Sequence, residues 1–173
     1  MPAREHETVH PARTAAYLFA ILFLGWLMLT SSFDRQELAA GVLISGALSL
    51  ALQKRYRELG LPPIGIKRIA WSFAYIAVLF KEIVVANIDV AYRVIHPKMP
   101  IKPGIVVIRT ELKQDIAKMI LANSITLTPG TFTLDILDDR ILIHWINVRT
   151  VDTEEATRMI GERFERYLRV IFA

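Results

Sequence analysis

The residues best placed to do chemistry in this 173-residue chain are ionisable ones set in an apolar helical pattern: Lys81, Glu82 and Asp89, with Asn87 among them and Arg93 beyond. A charge held at membrane depth is costly and by default signals a proton or ion relay. The competing reading places these residues at the membrane interface, paired with headgroups, with Arg93 or with a neighbouring subunit. Asp89 and Arg93 have the i,i+4 spacing of a helical ion pair, and interface pairing is the stronger reading. A second polar cluster, Asn123, Ser124, Thr126 and Thr128, runs into Pro129-Gly130. Such side chains bond backbone groups where a helix ends, and Pro-Gly fits the two central positions of a type II turn. The sequence therefore predicts a helix exit, a polar connector and a tight turn. That corner either docks on partner loops or holds the fold.

Other chemistry finds little support. There is no cysteine, which removes thiol nucleophiles, thiolate zinc and iron–sulfur clusters. His6, His10, His96 and His144 are scattered and form no H-E-x-x-H pattern. Asp135, Asp138, Asp139 and Asp152 are explained as turn and capping residues. No phosphate loop or serine elbow is present. The chain carries 21 Lys and Arg against 17 Asp and Glu, a formal charge of +4. Its basic runs lack interleaved aromatics and adjoin apolar segments, so membrane lipids are expected as partners and nucleic acid is not. The sequence predicts no enzyme and no cofactor.

The elements that must position these residues are membrane helices followed by a small mixed domain. Ala15 to Phe33 is uncharged, roughly 28 Å of helix against a hydrocarbon core of ~30 Å. Leu38 to Leu52 is a second uncharged run, and Asp34-Arg35-Gln36-Glu37 is the expected connector of a transmembrane hairpin over 15–53. Residues 1–14 read as an N-terminal tail. The first run is expected to be retained, because its apolar stretch is too long for a signal peptide and lacks a small-residue cleavage site. Gly41, Ser45, Gly46 and Ser49 permit close helix approach in lipid. A third membrane-associated helix is expected over 66–96, ended by Pro97, Pro100 and Pro103. Residues 54–68 hold five Lys/Arg against one Glu, and residues 93–113 hold the same. The positive-inside tendency makes both stretches cytoplasmic. They agree only if the third helix is interfacial or re-entrant, or if the hairpin merely dips into the bilayer.

Residues 97–173 read as a cytoplasmic α+β domain of order β-α-β-β-α. Gly104 to Thr110 is a β-branched strand, and Leu112 to Leu121 has helical spacing with Leu112, Ile116, Met119 and Ile120 on one face. Thr131 to Leu137 alternates Phe132, Leu134 and Ile136 against Thr131, Thr133 and Asp135. Asp138-Asp139 turns into a strand from Arg140 to Val148. Asp152 and Glu155 resemble a capping box for a last helix with an apolar stripe at Ala156, Met159, Ile160, Phe164, Tyr167, Leu168 and Ile171.

The string Leu121-Ala-Asn-Ser-Ile-Thr-Leu-Thr-Pro-Gly-Thr131 resembles the E subunits of the Mrp-type (Mnh, Pha) multisubunit cation/proton antiporters. The likeness extends through Lys81 to Asn87, Pro100 to Ile105 and the two N-terminal apolar runs. It implies an accessory, non-catalytic membrane subunit of an assembly exchanging Na⁺ or K⁺ for protons in a prokaryotic plasma membrane. The implied partners are the other subunits, including large ones that resemble proton-pumping subunits of respiratory complex I. Two rivals remain: direct participation in the ion path through Glu82 and Asp89, and a membrane-tethered domain that senses a ligand.

Overall fold

Long apolar runs without proline set the first three elements. In the computed structural model, which describes residues 11–58 and 65–173, they are α1 (Pro11–Thr30), α2 (Arg35–Glu58) and α3 (Ile66–Ile95). The His6–His10 pair and part of the basic stretch 54–68 lie outside the described residues. Helix α1 begins at Pro11, inside the stretch the sequence assigns to a tail, since proline is accepted in a first helical turn. Arg35 and Glu37 are in α2, so the connector keeps the expected four residues but lies three positions earlier, from Ser31 to Asp34. Ser31 takes φ +48° there, and its amide bonds Leu27 O at 2.9 Å. Helices Arg35–Tyr56 and Ile66–Ile95 are long and apolar enough to cross a membrane, and Thr14–Thr30 is a shorter apolar helix. Two compact units result, divided just before Gly65.

The first unit is the α1–α2 hairpin. Gly41, Ser45 and Ser49 are buried at every fourth residue of α2. A Cβ on Gly41 would stand 2.5 Å from Trp26 Cδ1, so only glycine permits this approach. Trp26 Nε1 donates to Glu37 O at 3.0 Å, tying the helices beside their connector. Leu29, Phe33 and Leu43 point outward, 90%, 80% and 73% exposed.

The second unit joins α3 to the α+β fold. Strands β1 (Gly104–Arg109), β2 (Thr131–Leu137) and β3 (Arg140–Trp145) form an antiparallel sheet in the order β1-β3-β2. Helix α4 (Asp115–Leu127) precedes β2, and α5 (Thr153–Ala156) runs through a π-helical turn, Thr157–Gly161, into α6 (Glu162–Ile171). Asp152 caps α5 by accepting from Glu155 N at 2.9 Å. Ile108, Ile141, Ile143, Leu121, Ile125, Ile160, Phe164 and Leu168 make the core, and Tyr75 of α3 enters it.

Three expectations change here. Helix α4 continues to Leu127, because hydroxyls further along the chain satisfy its last carbonyls; Asn123, Ser124 and Thr126 are therefore helical. Its buried face is Ala117, Leu121, Ala122, Ser124 and Ile125, while Met119 is 52% exposed. The alternation of β2 is broken by a bulge between Thr133 and Asp135. Phe132 and Leu134 stay outside, 54% and 45% exposed, whereas Ile136 crosses to the core side.

Candidate functional site: a charged cleft beside the polar corner

The corner after α4 is built by hydroxyls. Helix termini leave their last carbonyls unpaired. Thr128 Oγ1 donates to Ser124 O at 2.9 Å, and Thr131 Oγ1 lies 2.7 Å from Ile125 O and 2.9 Å from Thr128 O. Thr133 Oγ1 donates to Ala122 O at 3.1 Å, and its amide donates to Thr126 Oγ1 at 3.1 Å. These bonds stitch β2 to α4 and explain why the threonine side of β2 faces inward. Between them Pro129-Gly130 turns the chain. Thr131 N approaches Thr128 O at 3.3 Å, and Gly130 takes φ +92°, the left-handed value a type II turn demands. A Cβ at Gly130 would also press within 3.0 Å of Ile146 Cγ2.

Two members of the corner face the interior. Ser124 and Thr128 are 2% and 6% exposed. Ser124 Oγ donates its one proton to Ile120 O at 2.8 Å, so in its bond with Tyr75 it is the acceptor and the phenol donates. Asn123, Thr126 and Leu127 lie on the exposed side of α4.

The charged residues of α3 fall beside this corner. Glu82, Val85, Ala86 and Asp89 line one wall of a cleft of about 340 Å³. Thr128, Pro129, Thr131, Trp145, Arg149, Met159 and Arg163 line the rest. Glu82 Oε2 accepts from Arg163 at 2.5 Å. The same guanidinium donates to Met159 O at 2.5 Å and Ile160 O at 3.3 Å, both on the π-helical turn. Asp89 accepts from Arg93 Nε and Nη2 at 2.8 and 3.1 Å, a two-pronged pair. Arg93 also donates to Pro100 O at 2.6 Å. With the Asn147 amide turned so that both groups are satisfied, its oxygen accepts from Arg93 as well. Lys81 is 72% exposed, 3.8 Å from Glu82. Asn87 is exposed and donates to Ile83 O at 2.8 Å. Among the described residues there is no cluster of three His, Asp or Glu able to hold a metal.

The sequence pattern of the family Na+/H+ ion antiporter subunit (MNHE) matches residues 19–171. The chain belongs to the family of Na+/H+ antiporter E subunits. The E subunit of the Na+/H+ antiporter of Alkalihalophilus pseudofirmus is 36% identical over 143 residues, covering 82% of this chain and 87% of that one. Its Bacillus subtilis counterpart is 34% identical over 148 residues, covering 84% and 90%. Among solved structures, a chain of the membrane-bound sulfane sulfur reductase, an archaeal respiratory membrane complex, aligns with TM-score 0.77 and 46% identity. That alignment covers 92% of this chain and 99% of that one.

In this family member the structure thus unites the two clusters singled out by sequence. Thr128 and Pro129 share a cleft with Glu82 and Asp89, whereas Lys81, Asn87 and Asn123 point elsewhere. Sequence reasoning missed Arg163, Arg149 and Tyr75. Arg163 lies 81 positions from Glu82, beyond any local spacing rule. Tyr75 carried one usable signal, a lone phenol in the apolar run Ile69 to Phe80, because a buried phenol needs a partner.

Proposed function

We propose that this chain is an accessory, non-catalytic subunit of a multisubunit Na+ (or K+)/H+ antiporter, supporting assembly and activity. Its partners in this reading are the other antiporter subunits, including large complex I-like ones, with its C-terminal domain on the cytoplasmic side of a prokaryotic plasma membrane. One observation carries the reading. Both acids of α3 are neutralised within the chain, Glu82 by Arg163 and Asp89 by Arg93. A relay needs acids that gain and lose protons in passage; acids locked to arginines are better suited to fastening α3. The exposed residues Asn123, Thr126, Leu127, Phe132 and Leu134 offer the docking surface that such an accessory role needs.

The test has two parts. Native gel separation of mild-detergent membranes, with mass spectrometry of co-migrating bands, should place the chain among large antiporter-like subunits. Glu82→Gln and Asp89→Asn should then lower assembly and exchange together. Full assembly with exchange abolished would assign the acids to the ion path. A second reading follows from the 46% identity to a chain of a respiratory membrane complex: the antiporter module of this chain is built into a redox assembly. Redox subunits in the same band would select it.

A further inference from the structure

Helix α3 is fastened to the α+β fold along nearly its whole length. At its start Arg68 donates to Ala173 O at 2.5 Å. One turn on, Trp71 meets the Tyr167 ring at 5.7 Å. Tyr75 bonds Ser124, Glu82 bonds Arg163, and toward the far end Val90 lies against Gly130 and Arg93 meets the Asn147 amide. From Arg68 to Arg93 is roughly 38 Å of helix axis, longer than the ~30 Å hydrocarbon core. A helix gripped over that length cannot cross a bilayer without taking its partner along. The partner carries Arg163, Arg166 and Arg169 on α6 and the exposed acids Glu111 and Asp115. Charges of that kind are costly in lipid.

The opposite face of α3 is of another kind. Ile66, Phe73, Phe80, Val84, Ile88 and Ile95 recur at helical spacing and are between 43% and 88% exposed. Arg68, Glu82, Asp89 and Arg93 fall on the opposite side of the helix, leaving only two lysines near this face. Lys67 and Lys81 stand together on one flank, where long cationic stems reach headgroups.

We infer that α3 does not cross the membrane but lies in its plane, with this apolar face seated in the headgroup–acyl boundary and the α+β fold on its water side. The inference rests on the chain being a membrane protein and not on its accessory role. Charge supports it independently. With α3 in the plane, the basic stretches 54–68 and 93–113 fall on one side of the membrane, as the positive-inside tendency requires. With α3 crossing, they would oppose each other.

The chain has no cysteine, so label found on this chain comes only from the introduced site. In vesicles carrying the full chain with its native partners, Gly65→Cys and Lys98→Cys flank α3. A Cβ at Gly65 meets nothing within 4 Å, and Lys98 is exposed. A membrane-impermeant maleimide should label both from the same side. Nitroxides on Phe73→Cys, Phe80→Cys, Val84→Cys and Ile88→Cys should collide freely with oxygen, rarely with a nickel chelate, and report one common shallow depth. Labelling from opposite sides, or a graded depth along the helix, overturns the inference in favour of a crossing. Nitroxides shielded from both oxygen and nickel would overturn it in favour of a partner's protein surface. Partner subunits that co-purify are scored separately: their absence beside same-side labelling would count against the accessory role and leave the helix placement standing.

Discussion

The α1–α2 hairpin and the α3-to-α6 unit bury opposite kinds of side chain. In the hairpin, small residues face inward and large apolar ones outward: Gly41, Ser45 and Ser49 are buried while Leu29 and Phe33 are bare. In the second unit Phe164, Ile108, Leu121 and Leu168 are buried, and polar side chains cover much of the outside. The hairpin is arranged for a solvent as apolar as its own side chains, where close backbone approach and interhelical bonds must replace the hydrophobic drive. The second unit is arranged for water, where burial of large side chains dominates. Helix α3 combines both rules, one per face.

The largest effect that would sharpen this contrast is expected from Phe164→Ala. Emptying a 1%-exposed aromatic site should cost about 3–5 kcal/mol. Chemical denaturation of the detergent-purified chain should show the second unit melting early with hairpin helicity retained; joint loss would mean that the two units are not independently held. Next comes Gly41→Leu. Overpacking against Trp26 should cost about 1–3 kcal/mol, confined to the hairpin and visible as a shift in Trp26 fluorescence. A silent substitution would show that the close approach contributes nothing.

A finer comparison concerns the Tyr75–Ser124 bond. Ser124→Ala strands a buried phenol donor and should cost about 1–3 kcal/mol. Tyr75→Phe removes the donor and leaves a serine still bonded to Ile120 O, at about 1 kcal/mol or less. Hydrogen exchange along α3 should follow that order, and the reverse order would contradict the assigned bond direction. The smallest effect on stability belongs to Asn123→Ala, within about 0.5 kcal/mol for an exposed site. If Asn123 serves docking, recovery of the assembled complex on native gels falls all the same; unchanged recovery would confine the corner to holding the fold.

Much of this was legible in the sequence, for identifiable reasons. Proline placed the end of α3, and Asp152 placed the start of α5. The stripe Ala156, Ile160, Phe164 and Leu168 is buried as its spacing requires. The Asp89–Arg93 pair is local and so readable from i,i+4 spacing. Glu82–Arg163 was not readable, because only packing of α3 on α6 brings residues 81 positions apart into contact. The inward face of β2 was not readable for a related reason. Alternation is a local signal, but the carbonyls of α4 demanded the threonine hydroxyls, and a bulge then returned Ile136 to the core.

By itself the sequence determined what each segment can become. Apolar run lengths, prolines and the Pro129-Gly130 turn are local properties, and so is the absence of thiol chemistry. The string Leu121 to Thr131 pointed to the family before any fold was known. Only the tertiary structure decided which face of each element is taken. It bound Ser124 and Thr128 inward, closed Glu82 with Arg163, and held α3 along the α+β fold. Those choices depend on contacts between residues far apart in the chain, where the free energy of burying one face outweighs any local preference.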